Sequence, residues 1–89
     1  MRTVHLLIKG KVQGVSYRVS AQTKAAEFGL TGWVKNTKAG DVEAVVTGES
    51  NAIDSFIAWS RVGPTQAKVT AVTITGKEME GFEGFTIRR

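Results

Sequence analysis

The sequence predicts an α+β sandwich: an antiparallel sheet with two helices on one face and a short strand added near the C-terminal end. Three observations carry that prediction. Strand-type alternation or composition marks four segments, while helical spacing with start and stop signals marks two. These run strand, helix, strand, strand, helix, strand, the order of two interlocked split βαβ units. Finally, 89 residues suffice for one core and one domain, residues 1–89, and not for two.

Val4, Leu6 and Ile8 alternate with His5, Leu7 and Lys9, the period of a strand with one buried face. His5 falls on the less apolar face, with no Asp, Glu or second His near it in sequence, and reads as a half-exposed strand histidine. Tyr17 to Phe28 reads as a helix, because Ala21, Ala25 and Phe28 share a stripe. Ser16 is the expected N-cap and Gly29 the expected C′ residue. Small alanines on the stripe suit a helix lying close against a sheet.

Leu30 to Asn36 returns as a strand, and Thr37-Lys38-Ala39-Gly40 is a loop of hairpin length before Asp41 to Thr47. The second helix is expected to start from Ser50 or Asn51 as N-cap, bury Ile53, Phe56 and Ile57, and stop at Gly63-Pro64. Trp59 belongs at the edge of that buried face. Ala67 to Thr75 has the valine, threonine and isoleucine content of a strand. Lys77 to Gly81 reads as a polar turn, and Phe85 to Arg88 as a last strand closing an edge. The arrangement is ferredoxin-like, a fold that hosts many functions and so decides none.

Composition removes several kinds of chemistry. With no cysteine there is no disulfide, thiolate nucleophile or cysteine-based metal site, which fits a reducing compartment. Met1-Arg2-Thr3 leads straight into a strand, and no apolar run approaches membrane-spanning length. A soluble, cytoplasmic protein with no membrane partner is expected. The net charge of +4 raises nucleic-acid binding as a question. The basic residues are scattered, however, and no paired strand aromatics accompany them, so no nucleic acid is expected.

Gly10-Lys11-Val12-Gln13-Gly14-Val15-Ser16-Tyr17-Arg18 is the stretch with chemical promise. Two glycines turn a strand into a helix, leaving amide N–H groups without secondary-structure partners at the positive end of the helix dipole. Such a turn suits an oxyanion, and Arg18 adds a planar fork of donors. The spacing matches neither a Walker A loop nor the dinucleotide fingerprint. Asn36, at the end of the strand after the first helix, can both accept a hydrogen bond from water and donate one. Asparagine also tolerates turn conformations before a hairpin, and for Asn36 taken alone that is the stronger account of its presence. Elsewhere the sequence offers no Ser-His-Asp set, carboxylate pair or metal cluster, and Glu43 and Glu49 read as solvated charges.

Taken together, Gly10 to Arg18 and Gly32-Trp33-Val34-Lys35-Asn36, with Gly40, Val42 and Gly48 in step, resemble both signature motifs of the acylphosphatases. Length, element order, Gly63-Pro64 and Phe85-Thr86-Ile87 are similar too, so the likeness spans nearly the whole chain. The resemblance implies metal-independent hydrolysis of the carboxyl-phosphate bond of a small acyl phosphate, giving a carboxylate and inorganic phosphate, with no cofactor and a monomeric enzyme. It implies that the backbone of Gln13, Gly14, Val15, Ser16, Tyr17 and Arg18 cradles the phosphate. Arg18 would clamp it, Asn36 would orient the attacking water, and the substrate's own phosphate would take the proton.

Three positions depart from the family's commoner residues: Ser16 at the loop, Ala39 before the hairpin glycine, and Tyr17, whose hydroxyl needs a partner. Two other readings stand beside this one. The first is a non-catalytic polyanion binder on the same fold. The second is a module of the kind fused in hydrogenase-maturation carbamoyltransferases, although the other domains of those proteins are missing from this chain.

Overall fold

The computed structural model describes residues 1–89 and shows seven elements: β1 (Arg2–Lys11), α1 (Tyr17–Glu27), β2 (Thr31–Asn36), β3 (Val42–Gly48), α2 (Ser50–Ser60), β4 (Lys68–Lys77) and β5 (Phe85–Arg88). They form one five-stranded sheet in the order β4-β1-β3-β2-β5. β1 pairs antiparallel with both β3 and β4, and β2 pairs antiparallel with β3. The sequence suggests an antiparallel sheet throughout, but β5 runs parallel to β2. The sheet is therefore mixed at that edge. Both helices cover one face, giving the ferredoxin-like sandwich.

Alternation decides which face is covered. Val4, Leu6 and Ile8 of β1, Val34 of β2, and Val42, Ala44 and Val46 of β3 all point into one core with Ala21 and Ala25 of α1 and Ile53 and Phe56 of α2. Each large side chain buried to this degree contributes about 1.5–3 kcal/mol. Alanines on α1 let that helix lie close to the sheet, as their spacing suggests. Trp59 bridges the helices, with ring centroids 5.3 Å from Tyr17 and 5.7 Å from Phe56.

Helix ends follow the sequence only in part. Gly29, at φ 69°, closes α1: its N–H donates to Ala26 O at 3.1 Å and that of Leu30 to Ala25 O at 2.8 Å, the paired bonds of a Schellman motif. At the other end Ser16 occupies the N-cap position, yet its hydroxyl caps nothing, because its backbone is left-handed at φ 62°, ψ 27°. The N-cap of α2 is Glu49, not Ser50 or Asn51, and it too makes no side-chain cap. Ser50 instead accepts a hydrogen bond from Arg2, which also pairs with Asp54 at 3.3 Å.

The uncovered face carries pairings that sequence distance conceals. His5 Nε2 donates to the Glu43 carboxylate at 2.7 Å, and Lys35 lies 3.6 Å from the same carboxylate. Neither His5 nor Glu43 is the isolated group that its neighbours in sequence suggest. The His5 bond, with a smaller contribution from the Lys35 charge, holds the Glu43 carboxyl below its ordinary pKa. Trp33 lies on this face beneath the Arg88 guanidinium, 4.6 Å from the ring centroid.

β4 runs two residues past Thr75, to Lys77. The segment between β4 and β5 then crosses the uncovered face as a strap. Glu80 N donates to Thr3 Oγ1 at 2.9 Å, and Thr47 Oγ1 donates to Glu80 O at 2.7 Å. This crossing carries the chain from one edge of the sheet to the other.

Candidate active site

The site begins where β1 stops behaving as a regular strand. Its register against β4 shifts between Lys9 and Gly10, and Gly10 adopts φ 128° with the Lys68 carbonyl oxygen occupying the place a β-carbon would need. A β-carbon has no room there, so the glycine is a packing requirement. Val12 and Val15 then turn inward and anchor the loop, 1% and 7% exposed. Between and beyond them the backbone is left-handed at Gly14, φ 74°, and at Ser16, the one residue other than glycine with positive φ. Left-handed residues curl a turn so that successive N–H groups converge.

Those N–H groups are free. From Gln13 to Val19 no backbone amide donates to another backbone or side-chain acceptor, and α1's hydrogen bonding begins only with Ser20 N donating to Ser16 O at 3.0 Å. Seven consecutive donors at a helix start, with no acid in the first turn of α1, make a positive, donor-rich concavity.

Asn36 approaches from the end of β2. Its position relative to the loop is fixed by Gln13, whose amide donates to Thr37 O at 2.9 Å and to Asp41 O at 2.8 Å. Thr37 and Asp41 close the hairpin base, with Thr37 N donating to Asp41 O at 2.9 Å and Asp41 N to Thr37 Oγ1 at 3.1 Å. The closure uses no side chain at Ala39. One glutamine thus joins the glycine-rich loop to the strand end that carries Asn36.

Arg18 comes from the first turn of α1 and is held by a 3.3 Å hydrogen bond from its Nη1 to the Arg88 carbonyl. Gln22 reinforces that contact between α1 and β5 by donating to Phe85 O at 2.9 Å. Tyr17, the residue before it, is buried and donates its hydroxyl hydrogen to Ser60 O at 2.8 Å. Burial pushes its pKa upward, so it stays protonated and structural. The hydroxyl singled out in the sequence therefore has its partner in α2.

A cleft of about 190 Å³ lies between these elements, lined by Val12, Ser16, Tyr17, Arg18, Val19, Asn36, Ile87 and Arg89. Residues 4–87 match the acylphosphatase family. The chain belongs to that family.

An acylphosphatase of Methylococcus capsulatus is 46% identical over 90 residues, covering 100% of this chain and 98% of its own. The structure of an acylphosphatase from Coxiella burnetii superposes with a TM-score of 0.95 at 42% identity, over 98% of this chain and 92% of that one. That of the Bacillus subtilis acylphosphatase gives 0.97 at 36% identity over the whole of both chains.

Of the residues that the acylphosphatase motifs single out, Ser16, Tyr17, Arg18 and Asn36 line the cleft. Gln13, Gly14 and Val15 are not among its lining residues: the Gln13 side chain faces the hairpin and the Val15 side chain faces the core. The sequence passes over Val12, Val19, Ile87 and Arg89. The first two lie in or beside the glycine-rich motif and were findable there. Ile87 and Arg89 reach the cleft only because β5 joins the β2 edge, which element order does not reveal.

Proposed function

We propose that the chain hydrolyses the carboxyl-phosphate bond of acyl phosphates without a metal, releasing a carboxylate and inorganic phosphate. The observation that carries this reading is the run of free amides from Gln13 to Val19 curled beside Arg18, with Asn36 on the facing strand end of the same cleft. The phosphate sits in the loop, taking hydrogen bonds from backbone N–H groups and from the Arg18 fork. Arg18 needs little reorganisation to do so, since the Arg88 carbonyl already holds it.

Asn36 accepts one hydrogen bond from a water and so aims its oxygen at phosphorus, opposite the departing carboxylate. The new P–O bond forms as the bond to the acyl oxygen breaks, and a phosphoryl oxygen takes the water's proton. A carboxylate is a good leaving group, so placement and charge stabilisation carry much of the remaining barrier. The protein acts as a monomer in the cytoplasm.

The test is phosphate release from benzoyl phosphate in the presence of a chelator. Wild type is expected to turn over, Asn36→Ala to lose mainly kcat, and Arg18→Ala to lose both phosphate affinity and turnover. Full activity in Arg18→Ala would overturn the site. Absence of hydrolysis by wild type, with salt-sensitive RNA binding indifferent to Arg18→Ala, would favour a polyanion binder instead.

A further inference from the structure

Arg18 is aimed into the cleft by one bond of modest quality. Its Nη1 lies 3.3 Å from the Arg88 carbonyl in exposed surroundings, and none of the molecule's ion pairs includes it. The packing of α1 adds little. Past Tyr17 the side chains that this helix buries are Ala21 and Ala25, which set its distance from the sheet but bury too little area to fix its position along the sheet. α2, with Ile53 and Phe56 in the core, is keyed in place.

A second bond supplies what the alanines do not. Gln22 Nε2 donates to Phe85 O at 2.9 Å in partly buried surroundings, and no strand competes for that acceptor. Gly84 O accepts from Gly32 N at 3.0 Å and so faces β2; alternation turns the next carbonyl, that of Phe85, to the outer edge of the sheet, where no further strand pairs. Gln22 and Arg18 are four residues apart and share one face of α1, about 6 Å from each other along its axis. Their acceptors, Phe85 O and Arg88 O, are three residues apart, about 10 Å along β5. An arginine side chain is long enough to follow its carbonyl if α1 slides. A glutamine is not.

The same tie joins two walls of the cleft. α1 supplies Tyr17, Arg18 and Val19 to one wall, while Ile87 of β5 and Arg89 just beyond it supply the other. Resting on the acylphosphatase reading above, we propose that Gln22 is a positioning residue for the reaction: it locks α1 in register along β5, and so fixes the direction in which the Arg18 guanidinium meets the phosphate. Gln22 is not among the residues that line the cleft. It acts through Arg18.

The experiment is a double-mutant cycle on benzoyl phosphate hydrolysis, combining Arg18→Ala with Gln22→Met, which keeps the length of the side chain and removes its donors. In the wild-type background Gln22→Met should lower kcat/KM about three- to tenfold, the effect of losing one hydrogen bond. In the Arg18→Ala background it should change kcat/KM by less than about twofold, because the arginine that it positions is gone. An equal loss in both backgrounds would mean a purely structural role and overturn the proposal, as would full activity in Gln22→Met. Gln22→Lys keeps a donor long enough to reach Phe85 O and should regain most of kcat. A gain confined to KM would come from the added charge acting on the substrate and would count against the tie.

Inorganic phosphate binding, read by titration calorimetry, repeats the comparison without turnover. Gln22→Met should weaken it about three- to tenfold. If wild type binds phosphate in this Gln22-dependent way and hydrolyses no acyl phosphate, the catalytic reading fails while the positioning of Arg18 stands. An unchanged phosphate affinity in Gln22→Met overturns the positioning role itself.

Discussion

The two strand-to-helix crossings of this fold occupy equivalent places in the two βαβ halves and are built in opposite ways. Between β3 and α2 the chain turns through Glu49 alone, in ordinary extended conformation at φ −63°, ψ 147°. Between β1 and α1 it spends Val12 to Ser16, enters from a distorted glycine, and leaves from a left-handed serine. Both helices start without a side-chain cap and without acids in the first turn. A helix N-terminus alone therefore does not make the site. The extra backbone does, because it adds free amides ahead of the helix and leaves a cleft in front of them.

The arginines whose side chains serve the two helix starts, Arg18 in α1 and Arg2 reaching α2 from β1, give the largest contrast. Arg18→Ala removes charge-assisted hydrogen bonds of about 1.5–3 kcal/mol each, so losing two should lower kcat/KM for benzoyl phosphate by roughly two to four decades. Arg2→Ala, at the start of β1 but reaching the first turns of α2, breaks an exposed pair with Asp54 and a bond to Ser50. It should cost at most about 1 kcal/mol of stability and leave activity unchanged, which urea unfolding and the same assay would show. A catalytic loss in Arg2→Ala would erase the distinction between the crossings.

Gln13→Ala comes next. Two hydrogen bonds to Thr37 O and Asp41 O disappear, at a stability cost of about 1–2 kcal/mol. The loop then drifts from Asn36, and kcat/KM falls, though by less than in Arg18→Ala. A loss equal to that of Arg18→Ala would mean that the Gln13 side chain itself meets substrate.

The third contrast concerns strain. Ser16→Gly removes about 1 kcal/mol of left-handed cost, offset partly by the freer unfolded chain, for a net gain of about 0.5 kcal/mol. Glu49→Asp gains stability differently, by supplying the missing cap, at about 0.5–1 kcal/mol. Thermal unfolding should register both as small increases.

The smallest effect lies outside both crossings. Glu43→Gln should lower the melting temperature at pH 7 without changing activity. The Glu43 carboxyl has a lower pKa folded than unfolded, so its stabilisation is present above the ordinary value near 4.5 and is lost as pH falls through the folded value. Melting temperatures of variant and wild type should therefore converge between pH 5 and the acid range below about pH 4. A gap that persists there would contradict the His5–Glu43 bond as its source.

What the sequence makes legible follows from range. Val4, Leu6 and Ile8, the Ala21–Ala25 stripe and the Gly63-Pro64 stop are local patterns, and each element they imply is present. Arg18 and Asn36 are likewise visible, because each sits inside a motif. His5 and Glu43 are 38 residues apart and meet only after β1 and β3 pair, with His5 diagonal to Glu43 across the sheet face. Arg89 shares the cleft with Asn36 only because β5 chose the β2 edge, and parallel pairing there leaves no short hairpin signal. Ser16 deceived for a different reason: serine is a good cap, and its left-handed backbone arises from the loop around it rather than from its own preference.

The position of β1 between β4 and β3 has a consequence for how the molecule comes into being. β1 has no neighbour made early: its partners are Val42–Gly48 and Lys68–Lys77. During N-to-C synthesis its apolar face of Val4, Leu6 and Ile8 waits through half the chain for one partner and through most of it for the other. Long-range pairing of this kind slows folding, toward the millisecond-to-second range of high-contact-order domains. The glycine-rich loop, which hangs from the end of β1, thus takes its final shape only after a strand more than fifty residues downstream has closed against Gly10.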